Sequence, residues 1–289
     1  MKPAPFDLVS PRTIEEACAL LAETSGGATV LAGGQTLMPL LALRMSQPFL
    51  VVDVNNIAEL QGVRRVDGAT RVGPALRQNA ALADPLIARH LSLLATALTQ
   101  VGHHQTRNRG TIGGSVAFGE PAAEMPATLL ALGGTIDVRS VRGTRRIAAG
   151  DFYIGPYATA LEPDELIVAI DYPDQPAGTV PLFREVTRRP GDFALVGLVG
   201  TLALAGGRVE RASIAWFGMG PTPLRARQAE QALVGATLST IDATATAEAA
   251  VADTQPFDDQ HATADYRRTV GRRIFARALS DALDLSAAA

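Results

Sequence analysis

Residues 30–40 of this 289-residue chain read VLAGGQTLMPL, in which an apolar run passes through two glycines into a second apolar run. The pattern predicts a strand over residues 28–32, followed by a glycine-rich loop and a short helix over residues 37–44. Gly33 and Gly34 carry no side chains, so successive backbone N–H groups can turn inward and surround an anion such as pyrophosphate. The positive end of the following helix dipole would strengthen such a site.

A second glycine pair occurs at Gly113 and Gly114, between the hydroxyl groups of Thr111 and Ser115. One glycine pair alone is typical of a tight turn, but two such loops can hold different parts of one long dinucleotide. The Gly-x-Gly-x-x-Gly pattern of a Rossmann site does not follow any predicted strand. Residues 113–117 lack the final glycine of a nucleophile elbow, so a serine hydrolase is not indicated.

The composition excludes several classes of chemistry. Cys18 is the only cysteine, so the chain itself cannot form an intrachain disulfide, a four-cysteine zinc site or an iron–sulfur cluster. Lys2 is the only lysine, which excludes pyridoxal enzymes and P-loop nucleotidases. The four histidines show no metal-ligand spacing and no acid–base triad is found. We therefore predict neither a metal site nor a catalytic residue in this chain.

Charge and hydropathy bear on partners and location. The formal net charge is −3 and charged residues make up 19% of the chain, which provides no basic surface for nucleic acid. Such a low charged fraction predicts extensive contact with other subunits. The longest apolar run, residues 193–205, is too short to span a bilayer. The prolines and the aspartate within residues 1–7 do not fit a signal peptide, so we expect a cytoplasmic protein without a transmembrane segment.

The order of predicted elements divides the chain into two domains. Within residues 1–175 the alternation of strands and helices restarts near residue 58, which predicts subdomains over about residues 1–57 and 58–175. A linker rich in Pro, Gly and Asp at residues 172–180 then leads to a smaller C-terminal domain over residues 180–285.

Three local elements are predicted in more detail. One long helix is expected from residue 85 to about residue 101. Gly206 and Gly207 separate two apolar strands, which is the pattern of a two-residue β-hairpin. The C-terminal helix has an apolar stripe opposite a face of arginines that includes Arg267 and is expected to face solvent. The stripe consists of Tyr266, Val270, Ile274, Leu279 and Leu283.

The sequence resembles a known family at many ordered positions. Residues 30–40 with Arg44, residues 107–117 (RNRGTIGGSVA) and residues 121–124 (PAAE) are similar to the FAD-binding medium subunit of molybdenum hydroxylases. The type that they resemble is the medium chain of aerobic carbon monoxide dehydrogenase, which is related to the FAD domain of xanthine dehydrogenase. The likeness continues through residues 2–6, 152–161, 162–167, 189–194 and 220–223.

The resemblance implies a fold and a cofactor. The fold is α+β, with a two-subdomain FAD-binding unit of the vanillyl-alcohol oxidase or p-cresol methylhydroxylase type followed by the smaller α+β C-terminal domain. The first loop would cradle the pyrophosphate through Ala32, Gly33, Gly34, Gln35 and Thr36. The second loop would hold the ribityl and flavin end through Thr111, Ile112, Gly113, Gly114 and Ser115.

Other cofactor contacts are implied by matching position. They are Val101 and Gly102 on the adenine side, with Glu124, Ile167 and Arg184 lining the remainder. Asp192 and Phe193 would lie at the edge and on the face of the isoalloxazine, although Phe193 can equally begin a core strand. Covalent flavin attachment needs a histidine or cysteine, and Gln35 stands where a histidine could sit, so noncovalent FAD is expected.

The resemblance also implies a role within a larger enzyme. This chain would be the flavoprotein subunit of a heterotrimeric molybdenum-containing dehydrogenase, an oxidoreductase that forms a dimer of heterotrimers. It would take electrons from two [2Fe-2S] clusters of a small subunit and pass them to an external acceptor, while a large subunit carries the molybdenum cofactor. Two alternatives stay open at this point: a self-sufficient flavin oxidase or reductase of the same superfamily, and a non-catalytic assembly factor for a molybdenum enzyme.

Overall fold

Fourteen strands and twelve α-helices alternate along residues 2–287, the part of the chain that the computed structural model describes. The strands, numbered in chain order, are β1 (Asp7–Val9), β2 (Ala28–Leu31), β3 (Leu50–Asp53), β4 (Val63–Val66), β5 (Ala69–Val72), β6 (Thr135–Ser140), β7 (Gly143–Ala148), β8 (Tyr153–Gly155), β9 (Ala158–Thr159), β10 (Leu166–Pro173), β11 (Thr179–Val186), β12 (Val196–Ala205), β13 (Arg208–Phe217) and β14 (Leu224–Arg225).

The helices show the same mixed pattern, which confirms an α+β chain. They are α1 (Ile14–Glu23), α2 (Leu37–Ala42), α3 (Gln78–Ala83), α4 (Pro85–His90), α5 (Ser92–Gln100), α6 (His104–Arg109), α7 (Ile112–Phe118), α8 (Glu124–Ala131), α9 (Ala149–Phe152), α10 (Arg227–Leu233), α11 (Ala243–Ala252) and α12 (Ala264–Ala287). Three single turns of 3₁₀-helix lie at Val54–Asn56, Ala58–Leu60 and Leu238–Thr240.

The first sheet is small and parallel, with the strand order β1-β3-β2. Helix α1 starts where the Thr13 hydroxyl accepts a hydrogen bond from the Glu16 amide at 3.2 Å. Its buried face, which includes Cys18 and Leu21, packs in one hydrophobic cluster with Val52 of β3. Because β2 and β3 run parallel, the loops that follow them leave the same edge of the sheet.

The second sheet is antiparallel, in the order β4-β5-β10-β6-β7. Helices α3 to α8 lie between β5 and β6 along the chain, and the buried side chains of α3, α4, α5, α7 and α8 share one hydrophobic cluster with the sheet. The long helix expected from residue 85 is instead two helices, because Leu91 leaves helical geometry at φ −131° and ψ 50°. Leu91 is buried at this bend, so the chain gains a core contact where the helix breaks.

The third sheet, in the order β11-β12-β13-β14, is buried on both faces. Side chains alternate along each strand, so Val199 and Phe217 join the core of the second sheet, while Leu198 and Trp216 pack with α10 to α12. The hairpin at residues 206–207 is confirmed, with both glycines at positive φ. The linker is shorter than expected, because only residues 174–178 lie between β10 and β11.

The C-terminal helix α12 departs from its predicted stripe. Tyr266 is exposed, whereas Phe275, which the stripe omitted, is buried. Arg267, expected on the solvated face, is 4% exposed. Its guanidinium donates to the backbone carbonyls of Leu195 and Gly218 and pairs with Asp259 at 2.6 Å. The arginine is buried because two strand-end carbonyls need a donor there.

Candidate functional site

The loop between β2 and α2 has four consecutive free backbone donors. Among the residues that the structure describes, the N–H groups of residues 33 to 36 donate no hydrogen bond to another protein atom. Gly34 has φ +71°, a conformation that turns adjacent amides toward one side. The Thr36 hydroxyl forms no capping bond and is also available. These unpaired donors fit the predicted anion-binding nest, which stays a prediction.

Helix α2 contributes less than expected to this nest. It spans Leu37–Ala42 and ends before the predicted limit at residue 44, because Arg44 adopts a left-handed φ of +58°. The Met45 amide then turns back to the Leu40 carbonyl at 2.9 Å and closes the helix. A helix this short carries a small dipole, so the free amides themselves are the main source of positive potential.

The structure brings the two glycine-rich segments into direct contact. A Cβ at Gly33 would lie 2.5 Å from the Arg109 carbonyl oxygen, 2.8 Å from Gly110 Cα and 3.1 Å from the Thr111 amide nitrogen. No side chain fits in that space, so a glycine is required for the first loop to rest on the backbone before α7. The nest therefore lies directly beside residues 111–115.

The second glycine pair has a different role from the one expected. Gly113 donates its N–H to the Pro74 carbonyl at 2.8 Å, and Gly114 donates to Thr111 Oγ1 at 3.0 Å. A Cβ at Gly113 would lie 2.4 Å from the Pro74 side chain, so this glycine permits close packing of α7. The second pair is therefore not a nest of free amides. The group of this segment that is free to bind a ligand is the Ser115 hydroxyl. It is half-buried and has no protein partner within residues 2–287.

A polar network that the sequence reading missed ties the two segments together. The Asn55 side chain donates to the Ala32 carbonyl at 2.9 Å and accepts from Arg77 Nη2 at 2.5 Å. Arg77 Nη1 donates to the Arg109 carbonyl. Burial, then the neighbouring positive charge of Arg109, lowers the pKa of Arg77 below its ordinary value. Asn55 follows β3 at the sheet edge where the first loop follows β2, so the predicted strands could have indicated that Asn55 lies beside that loop. No local pattern in the sequence pointed to Arg77.

Glu124 lies at the start of α8 and is 4% exposed. Burial raises its pKa to about 7. Helix α8 packs against α7, which contains residues 112–115. The Ala194 amide donates a 3.4 Å hydrogen bond to the carbonyl of Ala122, two residues before Glu124. The predicted positions at 111–115, 124 and 192–193 therefore belong to one region.

Arg184 does not point toward this region. It lies on β11 with its side chain on the α12 face, where it pairs with Asp281. Its neighbour Glu185 occupies the opposite face of the strand, next to Glu124. Burial and the negative charge of Glu124 raise the pKa of Glu185 to about 8. The residue of β11 that faces the site is therefore Glu185, which the sequence reading did not select.

Phe193 and Ile167 have opposite surroundings. Phe193 is 58% exposed and β12 begins only at Val196, so the alternative that Phe193 starts a core strand is wrong. Ile167, on β10, is 5% exposed and packs within the main hydrophobic cluster. Its side chain offers little surface to a ligand, whereas the ring of Phe193 is available to one.

Gly102 and Gly191 lie at the same place. Both line a cavity of about 130 Å³, and a Cβ at Gly191 would lie 2.5 Å from the His103 ring. The implied assignments of residues 101–102 to the adenine side and of residues 192–193 to the flavin both stay predictions.

Residues 2–287 contain neither a membrane-spanning helix nor a cluster of metal-binding side chains. No helix there combines the length and the apolar character needed to cross a bilayer. No group of three or more His, Cys, Asp or Glu side chains is arranged to hold a metal ion.

Comparison with known proteins gives a consistent result. The family described as the FAD binding domain in molybdopterin dehydrogenase matches residues 4–175, and the CO dehydrogenase flavoprotein C-terminal domain matches residues 182–282. The chain is 38% identical over 284 residues to the 6-hydroxypseudooxynicotine dehydrogenase complex subunit alpha of Paenarthrobacter nicotinovorans, covering 98% of this chain and 96% of that protein.

Similarity to carbon monoxide dehydrogenase extends to the structure. The medium chain from Hydrogenophaga pseudoflava is 33% identical over 282 residues, covering 98% of each chain. A solved structure of carbon monoxide dehydrogenase from the same organism superposes with a TM-score of 0.95 at 35% identity, covering 98% of this chain and 99% of that one. Together these matches show that the chain belongs to the FAD-binding medium subunits of the molybdenum hydroxylase family, which are subunits of molybdenum-containing dehydrogenases.

Proposed function

We propose that this chain holds FAD noncovalently in the nest at residues 32–36 and carries electrons out of a three-subunit molybdenum enzyme. The four free amides of residues 33–36, packed against residues 109–111, are the observation that carries this proposal. Consecutive unpaired backbone donors bind the negatively charged oxygens of a phosphate group. The diphosphate of FAD meets that requirement.

The remaining residues fit the other parts of the cofactor. The free hydroxyls of Thr36 and Ser115 can form hydrogen bonds to the phosphate or ribityl oxygens of the cofactor. Exposed Phe193 offers an aromatic face to the isoalloxazine, and Asp192 lies beside it on the same loop. We assign residues 101–102 to this flavin end, because Gly102 shares a cavity with Gly191.

Bound FAD supplies the two-electron redox chemistry, and the protein binds, orients and shields it. Arg77 fixes the distance between the nest and the segment at residues 109–111, because its two guanidinium nitrogens bond to one group on each side. Cys18 is buried within the core and bonds to the Arg139 carbonyl at 3.3 Å, so it is no ligand for a cluster. In the proposed enzyme, the clusters that supply electrons therefore lie on a partner.

The proposal includes the assembly around this chain. A small subunit would carry the [2Fe-2S] clusters and a large subunit the molybdenum cofactor, in a dimer of heterotrimers in the cytoplasm. Within this chain, residues 1–57 and 58–175 would be the two subdomains of a vanillyl-alcohol oxidase-type FAD unit, and residues 180–285 the C-terminal domain. The pairing of one parallel and one antiparallel sheet before residue 175 supports that division.

The site assignment is tested by Gly33→Ala, with Gly150→Ala as a matched control. A Cβ at Gly33 meets backbone atoms at 2.5 Å, whereas a Cβ at Gly150 meets nothing within 4 Å. We expect the Gly33 variant to lose its flavin absorption while far-UV circular dichroism stays native, and the control to retain FAD. Stoichiometric FAD in both variants would contradict the nest assignment.

The role in electron transfer is tested by native purification with partner masses and an absorption spectrum. We expect two partner chains together with flavin and iron–sulfur bands. An isolated chain that reduces its own flavin with an organic substrate would instead favour a self-sufficient oxidase or reductase. A chain that purifies without flavin would favour an assembly factor.

A further inference from the structure

A small cavity lies between the end of α5 and the end of β11, beside the loop that leads to Phe193. Its volume is about 130 Å³, and Gly102, His103, Glu185 and Gly191 are among the residues that line it. A polar cavity of this size has room for several water molecules. Glu185 therefore borders the water that this cavity can hold.

Glu185 is half-buried, and one oxygen of its carboxyl group is unsatisfied. This atom, Oε1, is inaccessible to solvent and has no hydrogen-bond partner among the described residues. Burial and the negative charge of Glu124, which is itself buried, raise the pKa of Glu185. Ionisation of both carboxyl groups is therefore disfavoured. At neutral pH the pair therefore retains at least one proton.

Within residues 2–287, no cationic side chain forms a hydrogen bond or ion pair with Glu185 or Glu124. Arg184, on the same strand, points to the opposite face and pairs with Asp281. On the connecting loop, the Arg188 side chain bonds to His261 at 2.9 Å, while Arg189 and Asp192 are exposed. From the segment after α5, His103 lines the cavity with Glu185, and Arg107 donates to the carbonyls of Val101 and Gly102.

A flavin that is reduced by iron–sulfur clusters also needs a source of protons, and such a carboxyl group can supply them. Clusters deliver electrons without protons, whereas full reduction of a flavin consumes both: FAD + 2 e⁻ + 2 H⁺ → FADH₂. The electrons come from oxidation of the reduced clusters, and the protons must come from solvent through the protein. A carboxyl that titrates near neutrality is well matched to that transfer.

We propose that Glu185 is a proton-exchange residue, whose carboxyl group holds a proton and passes it between water in the His103 cavity and the flavin end of the site. This inference rests on the proposed function. It does not require that Glu185 touch the flavin, since water in the cavity can relay the proton. Glu124 keeps the proton on the pair by its own charge and burial.

The first test needs no flavin. Infrared spectra of the whole chain are recorded at pH 7 for the native protein, for Glu185→Gln and for the exposed control Glu210→Gln. We expect a carbonyl band of protonated carboxyl groups that loses most of its intensity in the Glu185 variant and is unchanged in the control, because Glu124, with a pKa of about 7, is only half protonated. A band that keeps its full intensity in Glu185→Gln but loses it in Glu124→Gln would overturn the assignment.

The second test uses the FAD-loaded chain and a photochemical reductant. In Glu185→Gln we expect flavin reduction at neutral pH to slow at least ~10-fold, with the flavin content and absorption spectrum unchanged. Glu185→Asp keeps an ionisable group, so we expect it to recover part of the rate and to keep a pH-dependent rate. Equal rates and equal proton uptake in native protein and Glu185→Gln would refute the inference.

The two proposals fail in different ways. A native chain that binds no FAD contradicts the proposed function, yet the infrared band still decides whether Glu185 holds a proton. A chain that binds FAD but keeps the band in Glu185→Gln contradicts the proton-exchange role alone. If Glu185→Gln does not fold, the infrared shift on Glu185→Asp gives the same decision, because a shorter carboxyl absorbs differently.

Discussion

Arg77 is the residue whose removal tests the packing of the two loops most directly. Its guanidinium spans the Asn55 side chain, at 2.5 Å, and the Arg109 carbonyl. A hydrogen bond from a charged donor contributes about 1.5–3 kcal/mol to stability. Arg77 is half-buried, which places both bonds at the lower end of that range. Arg77→Ala is therefore expected to lower the free energy of unfolding by about 3 kcal/mol.

Arg77→Lys separates geometry from charge. A lysine has one nitrogen, so it can reach either partner but not both. We expect it to recover about half of the loss, or about 1.5 kcal/mol. Arg64→Ala is a matched control, because Arg64 is exposed on β4 and has no partner within residues 2–287. Its expected effect is about 0.5 kcal/mol or less.

The assay is urea unfolding of the apoprotein, followed by circular dichroism, together with an FAD titration of each variant. The unfolding midpoint should fall in the order native, Lys variant, Ala variant, and FAD affinity should fall in the same order because the two loops separate. Equal midpoints for the native protein and Arg77→Ala would refute the reasoning. So would full recovery in Arg77→Lys, since charge alone would then account for the effect.

Two other predictions follow from buried charged groups. The pKa of Glu124 is about 7 in the folded chain against an ordinary 4.5, so the folded state binds this proton more tightly than the unfolded state. The stability that this group contributes is complete below pH 4.5 and falls by about 3 kcal/mol as the pH rises through 7. Glu124→Gln should remove that loss, which is measured by urea unfolding at pH 5 and pH 8.5. Arg267→Met should cost about 3 kcal/mol by thermal unfolding, because two buried carbonyls lose their donor; a melting temperature unchanged from native would contradict this.

Sequence reading succeeded where the determining physics is local. The hairpin at Gly206 and Gly207 needs positive φ at both positions, and glycine is the residue that supplies it at little cost. The order of a strand, two glycines and a helix over residues 28–42 also follows from short-range pattern, whereas the binding role of that loop stays a prediction. The family, the FAD-binding role and the α+β chain were confirmed for the same reason, because they rest on ordered motifs.

Predictions from the sequence failed where a residue's environment is set by segments that are distant along the chain. Arg184 and Glu185 are adjacent, and only the sheet's contact with α12 decides which of them faces the site. Arg267 looked like a solvated helix residue because the carbonyls that bind it come from Leu195 and Gly218, far away in sequence. Gly113 looked like Gly33, but the partner that fills its space is Pro74, which nothing in the local motif indicates.

The C-terminal sheet limits which parts of this protein can be exchanged with those of its relatives. Val199, Ala215 and Phe217 on one face complete the core built by residues before position 175. A fragment ending at residue 175 would expose that core, so the two matched families in this chain are not interchangeable modules. A chimera that exchanges either half between relatives must carry compatible side chains on both sides of this sheet.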